Sequence, residues 1–265
     1  MSNSTLNIIK IGGNVIDDNI QLENFLEKFA AIPGKKILVH GGGKIATRLA
    51  NKLGIEAKMV EGRRITDEEM LDVVTMVYAG LTNKKIVTTL QKYDCDAIGL
   101  SGADGNTIKA IKRPVRKIDY GFAGDILADS VNSLSIKKFL DAGFTPVFSA
   151  ITHNGSGQLL NTNADTIASA LAAALSKLYE TSLIYCFEKN GVLANAEDDS
   201  SVIETITSSQ FETLKSQGII SEGMIPKLQN AFDAINKGVK DVFIGNAVNL
   251  HQLQQQQFGT CLVKK

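Results

Sequence analysis

Residues 7–17 read NIIKIGGNVID, an apolar run interrupted by Lys10 and followed at once by Gly12 and Gly13. Isoleucines on both sides of the lysine mark a buried strand, and the paired glycines mark the turn that ends it. Lysine is among the side chains least often fully buried, and an unpaired buried charge is costly. Lys10 therefore either escapes to solvent at the strand end or meets an anion, and in the second case it belongs to a site.

Outward from that strand, short β-branched runs alternate with stretches of helical period, the pattern of an α/β fold with a largely parallel sheet. The first strand leads to a helix around NIQLENFLEKFAAI (19–32), and KKILVH (35–40) leads to one around GKIATRLANKLG (43–54). CDAIGL (95–100), FTPVFSAI (144–151), TSLIYCF (181–187) and VKDVFIG (239–245) are further core strands. Residues 106–126 and 147–161 read as hairpins, the second with NGSG as its turn. Residues 66–93 read as one or two long helices, with Thr66 and Glu69 spaced as a capping box. A lobe boundary is expected near AALSKLYETS (173–182), where an alanine-rich helix gives way to a new strand.

Composition limits what a site in this fold can serve. The 265 residues hold 28 Lys+Arg against 28 Asp+Glu, so no global field recruits nucleic acid or an anionic membrane. An anionic ligand must be met by local charge. Cys95, Cys186 and Cys261 are widely spaced and not grouped with the three histidines, which indicates neither a disulfide framework nor a zinc site and suits a reducing cytoplasm. No apolar run approaches membrane-spanning length, and the start of the chain lacks the build of a signal peptide.

VHGGGK (39–44) repeats the strand-then-glycine device of the opening stretch. Successive glycines let backbone amides approach an oxyanion, and a following helix N-terminus favours negative charge. Gly41, Gly43 and Ala46 fit the permissive dinucleotide spacing G-x-G-x-x-A, but a single such fingerprint leaves KIGG unexplained. The residues speak against a P-loop, because Gly43-Lys44 is followed by Ile45, so the magnesium-binding hydroxyl is missing, and the upstream glycine spacing does not fit. In residues 158–175, Asn163 is placed to cap a helix with Asp165 in its first turn, an arrangement helix electrostatics alone favours. In residues 218–238, Pro226 marks a first helical turn that also carries Lys227, where the helix dipole disfavours a cation. Lys227 is either solvated or paired with an anion.

IIKIGG, VHGGGK, EGRRITDEEM, GLSGADGNTIKA, GFAGDI, LLNTNADTIASALA and GIISEGMIPKLQNA, in this order, resemble the amino acid kinase superfamily and, within it, the acetylglutamate kinase family. The resemblance runs from about Ile8 to GTCLVK (259–264). It implies an αβα sandwich with a largely parallel central sheet, an N-terminal lobe (1–178) for the acylated amino acid and dimerisation, and a C-terminal lobe (179–265) for ATP. The implied reaction is transfer of the γ-phosphoryl of ATP, with Mg2+, to the γ-carboxylate of N-acetyl-L-glutamate, the second step of arginine synthesis. N-succinylglutamate remains an alternative acceptor. Aspartokinase, carbamate kinase and uridylate kinase share the lysine and glycine devices, but GRRIT and LLNTNAD favour the acylglutamate branch. A silent amino-acid sensor would have no reason to keep Lys10, Asp165 and Lys227.

The resemblance implies roles residue by residue. Lys10 and Lys227 neutralise the transferring phosphoryl group, Asp165 organises them, and the amides of Gly13 and Gly43 hold phosphoryl oxygens. Gly42 and Gly43 form the substrate loop, Arg64 grips the substrate α-carboxylate and Asn161 contacts its backbone, while Arg63 is left as surface. Glu188, Gly191, Ile219 and Ser221 are the implied nucleotide contacts. Phe187-Glu188 departs from the family's small hydroxyl residue and aspartate. The attacking carboxylate is already ionised, so no base is needed; His40 reads as a buried, hydrogen-bonded histidine, and His153 and His251 as surface. Magnesium arrives with ATP, since no cage of carboxylates is visible. Arginine-inhibited relatives carry an extra N-terminal helix that links dimers into a hexamer. Only a few polar residues precede the first strand here, so a homodimer largely insensitive to arginine is expected.

Overall fold

A computed structural model describes residues 4–195, 197–220, 224–255 and 257–264. The elements run in chain order as β1 (Thr5–Ile11), α1 (Gly13–Asp17), α2 (Asn19–Ala30), β2 (Lys35–His40), α3 (Gly43–Lys52), β3 (Met59–Val60) and β4 (Arg63–Arg64). There follow α4 (Glu68–Thr75), α5 (Asn83–Lys92), β5 (Ala97–Leu100), β6 (Ile111–Lys112), β7 (Ala123–Asp125), α6 (Ser133–Asp141), β8 (Thr145–Ser149), β9 (Ile151–His153) and β10 (Leu159–Thr162). The last are α7 (Ala164–Leu175), β11 (Glu180–Phe187), β12 (Thr205–Thr207), α8 (Ser208–Ser216), α9 (Ile225–Asn236), β13 (Asp241–Asn246) and β14 (Thr260–Val263).

Two compact units result, and they do not follow the chain in order: residues up to Lys36 group with those from Leu171 onward, and Ile37–Ala170 form the other. In the first unit the strands run β12-β14-β13-β11-β1, with β11 parallel to both β1 and β13, β14 antiparallel to β13, and β12 parallel to β14. Ile8, Ile9 and Ile11 of β1 are fully buried, as a strand covered on both faces requires. Each such side chain contributes about 1.5–3 kcal/mol by leaving water. The α2 helix starts where Asp18 accepts hydrogen bonds from the amides of Ile20 and Gln21, and it buries Phe25, Leu26 and Phe29. Thr207 and Gln210 form a reciprocal capping box at the start of α8.

In the second unit β2, β8 and β5 pair in that order, all parallel, so the largely parallel α/β character read from the sequence holds in each unit. A smaller sheet, β6-β7-β10-β9, contains both expected hairpins: β6 with β7 and β9 with β10 are antiparallel. The amide of Thr166 donates to Asn163 Oδ1, the cap expected at the start of α7.

The long helical segment is continuous from Glu68 to Lys92, but its middle, Met76–Thr82, winds as a π-helix. Its start also corrects the reading of Thr66 and Glu69 as a capping box. Asp67 is the N-cap and accepts from the Met70 amide at 2.9 Å, while Thr66 is fully buried and used elsewhere. An aspartate one residue later competes for the same orphan amides and wins, because the Thr66 backbone is bridged to the 120–122 segment, its amide donating to Tyr120 O and its carbonyl accepting from the Phe122 amide. Among the described residues, no helix is long and apolar enough to cross a membrane.

Candidate active site

The glycine loop follows β2 directly. Gly42 has φ +150°, and a Cβ there would lie 3.1 Å from Tyr78 Cδ1 and 3.3 Å from Thr82 Oγ1, so the turn depends on glycine. Gly43 opens α3. Arg64, buried on the short strand β4, donates from Nη2 to the Gly43 carbonyl at 2.9 Å and to Thr47 Oγ1 at 2.8 Å, with Nη1 3.8 Å from Met70 Sδ. Tyr78 also hydrogen-bonds Arg64; burial raises its phenol pKa, and the guanidinium opposes the rise. The π-helical turn thus supplies both side chains, Tyr78 and Thr82, that close over Gly42.

Asn161 joins the same cluster through Thr66. Its Nδ2 donates to Thr66 Oγ1 at 3.0 Å, and that hydroxyl donates to the Arg64 carbonyl at 3.1 Å. The Asn161 amide donates to Phe122, whose own amide donates to Thr66 O. The four expected substrate residues, Gly42, Gly43, Arg64 and Asn161, are therefore tied into one network within the second unit. Thr47, Thr66, Met70 and Tyr78 are its unforeseen members. Asp165 lies half-buried in the first turn of α7.

His40 ends β2 and is fully buried. Its Nδ1 lies 2.8 Å from the Gly41 carbonyl, which only accepts, so Nδ1 carries the proton and Nε2 accepts from Asn83 Nδ2 at 3.0 Å. Asn83 Nδ2 also donates to Val147 O at 2.9 Å. Burial, opposed by the Gly41 hydrogen bond and aided by Lys84, lowers the His40 pKa to about 4. His40 is a neutral strut of the glycine loop, and its titration is a stability device rather than a catalytic one. The unfolded chain binds a proton at this residue near pH 6.5, and the folded chain does so only near 4. The stability it carries is full above 6.5 and is lost as pH falls toward 4, by roughly 3 kcal/mol. Urea midpoints of the native chain are expected to fall across that window, and those of His40→Gln to fall less. Identical slopes for the two chains would refute the assignment.

In the first unit, Lys10 is only 8% exposed. In the β1–β11 register Lys10 stands beside Tyr185, and Phe187 lies two residues further along β11 on the same face. Tyr185 and Phe187 stack with centroids 6.1 Å apart. Lys10 Nζ sits 4.9 Å from the Phe187 ring centroid, and Lys227 Nζ, from the first turn of α9, sits 3.9 Å from it. The two lysines read from separate motifs 217 positions apart therefore meet at one ring. Gly13 opens α1. Gly12 donates its amide to Cys186 O at 3.0 Å, and a Cβ on Gly12 would lie 3.5 Å from Phe187 Cδ1.

Of the expected nucleotide contacts, Glu188 is exposed just past β11, and its carbonyl accepts from Asn246 Nδ2 at 2.8 Å. Gly191 is buried, and a Cβ there would lie 2.7 Å from Thr260 Oγ1 and 2.8 Å from Val202, so close packing alone demands glycine. Ile219 is half-buried and follows α8, its amide donating to Leu214 O. Ser221 lies outside the described residues. Burial raises the Cys186 thiol pKa and pushes that of Cys261 up to about 11, so both stay protonated near neutrality. Among the described residues no group of three or more His, Cys, Asp or Glu could hold a metal ion.

Each unit has a parallel set of strands with a glycine turn at the end of one of them, and the first unit also gathers two lysines at one ring. The chain belongs to the amino acid kinase family, whose model matches residues 5–246. It is 53% identical over 261 residues to the acetylglutamate kinase of Cytophaga hutchinsonii, covering 97% of this chain and 98% of that one. It is 53% identical to that of Bacteroides thetaiotaomicron over 90% of this chain and 92% of the relative. Among solved structures, a Streptococcus mutans protein superposes with a TM-score of 0.75 at 27% identity, covering 98% of this chain and 99% of the other.

Proposed function

We propose that this chain transfers the γ-phosphoryl group of ATP to the γ-carboxylate of N-acetyl-L-glutamate, the acylglutamate phosphorylation of arginine synthesis. The convergence of Lys10 and Lys227 on one aromatic ring is the observation that carries the reaction class. The acceptor follows from the kinship with the Cytophaga acetylglutamate kinase.

A γ-carboxylate oxygen attacks the γ-phosphorus, the bond from that phosphorus to the β–γ bridging oxygen breaks, and ADP leaves with the electron pair. The product is an acyl phosphate, and no proton changes hands, in keeping with a neutral His40 and protonated thiols. Lys10 and Lys227 offset charge spreading over the phosphoryl oxygens. The Gly13 and Gly43 amides hold those oxygens, and Asp165 is the organising carboxylate. Arg64 takes the substrate α-carboxylate, with Gly42, Gly43 and Asn161 completing the acceptor's contacts. Glu188, Gly191, Ile219 and Ser221 serve the nucleotide, with acceptor functions assigned to residues 1–178 and nucleotide functions to 179–265. Magnesium bound to ATP would screen the phosphate charge. The enzyme works in the cytoplasm as a homodimer, which light scattering of the purified chain checks.

Phosphoryl transfer from ATP–magnesium is to be measured with N-acetylglutamate, N-succinylglutamate, glutamate, aspartate, carbamate and UMP side by side. The expected result is transfer to N-acylated glutamate alone. Equal activity on free glutamate, or a preference for carbamate or UMP, would overturn the proposal.

A further inference from the structure

We propose that Phe187 is a positioning residue that holds the Lys10 and Lys227 ammonium groups in place for phosphoryl transfer through the face of its ring. This rests on the functional reading above and extends it to a residue that departs from the family pattern.

Two ammonium groups gathered for one phosphoryl group repel each other, and each stands at the end of a flexible stem, so a contact shared by both helps to keep them in register. An aromatic face carries partial negative charge and attracts a cation within about 6 Å of its centroid. Phe187 lies within that range of both, 4.9 Å from Lys10 Nζ and 3.9 Å from Lys227 Nζ. The ring is itself fixed. It stacks on buried Tyr185 with planes 14° apart, and β11 is held in register by β1 on one side and β13 on the other. Lys10 comes from β1 and Lys227 from α9, so the ring is a common reference for two elements far apart in sequence. A site that sets its cations before substrate arrives avoids reorganising them during the reaction.

Fluorination tests this with little change in size, because each fluorine withdraws charge from the ring face. Mono-, di- and trifluorinated phenylalanine are to be placed at position 187 of the full chain by codon suppression, alongside Phe187→Leu and Phe187→Tyr. Turnover is expected to fall stepwise along the fluorinated series and by roughly tenfold in Phe187→Leu, while Phe187→Tyr stays within about twofold of the native chain. Michaelis constants for both substrates and the thermal midpoint should hardly move across the series. Equal turnover in all fluorinated chains would overturn the proposal. So would a series that changes only the Michaelis constant for ATP, which would make Phe187 a nucleotide contact, or only the midpoint, which would make it packing. A native chain that phosphorylates no acylglutamate defeats the functional reading itself; an active native chain with a flat series defeats only the role of Phe187.

Discussion

Lys227→Ala is expected to depress turnover roughly a hundred- to a thousand-fold, the usual cost of losing one preorganised transition-state donor. The Michaelis constants for ATP and the acylglutamate should change far less, because the ammonium matters most as charge develops on the phosphoryl oxygens. Lys227 occupies the first turn of α9, where the helix dipole opposes a cation, and its ammonium lies 3.9 Å from the Phe187 centroid. A residue kept against the dipole only as surface charge would behave in the opposite way. Its removal would leave turnover near normal and hold or raise the thermal midpoint by relieving the clash. Turnover and midpoint measured on one preparation of the variant separate these outcomes, and near-normal turnover would remove Lys227 from the mechanism.

Arg64→Lys is expected to raise the Michaelis constant for the acylglutamate by about ten- to a hundredfold and that for ATP much less. The substitution keeps the charge but loses the planar fork, which in the native chain spans Gly43 O, Thr47 Oγ1 and Met70 Sδ. A lysine head cannot hold the glycine loop and grip a carboxylate in the same geometry. Steady-state kinetics with each substrate varied in turn is the check. Parallel changes in both Michaelis constants would mean that Arg64 supports the fold rather than the acceptor.

The core strands β1, β2, β5, β8, β11 and β13, the glycine turns and both hairpins were legible in the sequence because each rests on a local signal: β-branched runs, paired glycines, and turn residues such as those of NGSG; the short strands β3, β4, β12 and β14 carry no such signal and were not read. Asn163 was legible as a cap for the same reason. The π-helical turn at Met76–Thr82 was not, since its apolar spacing also fits an α-helix and its winding is settled by Tyr78 and Thr82 closing over Gly42. Thr66 misled because its spacing to Glu69 satisfies a capping pattern, whereas its hydroxyl serves Arg64 and Asn161, residues that only folding brings near.

The lysines illustrate the same limit. Lys10 stood out as a charge in an apolar strand, and Lys227 as a cation against a dipole, yet nothing local joined them. Their common partner, Phe187, stood in the sequence only as a departure from a family pattern. Alternation along β11 puts Phe187 on the face of Tyr185, but the register that brings Lys10 to that face is a property of β1–β11 pairing. Neutral His40 was legible as a buried histidine, while its partner Asn83, 43 residues away, was not.

The proposed transfer moves phosphorus from ATP to the side-chain carboxylate of an acylated glutamate. It is tested most directly by incubating the native chain with ATP–magnesium and N-acetyl-L-glutamate carrying carbon-13 at the γ-carboxyl, and following phosphorus NMR. An acyl phosphate signal split by the labelled carbon and growing in step with ADP is expected. ADP formed with inorganic phosphate alone, or an acyl phosphate signal without that splitting, would contradict it.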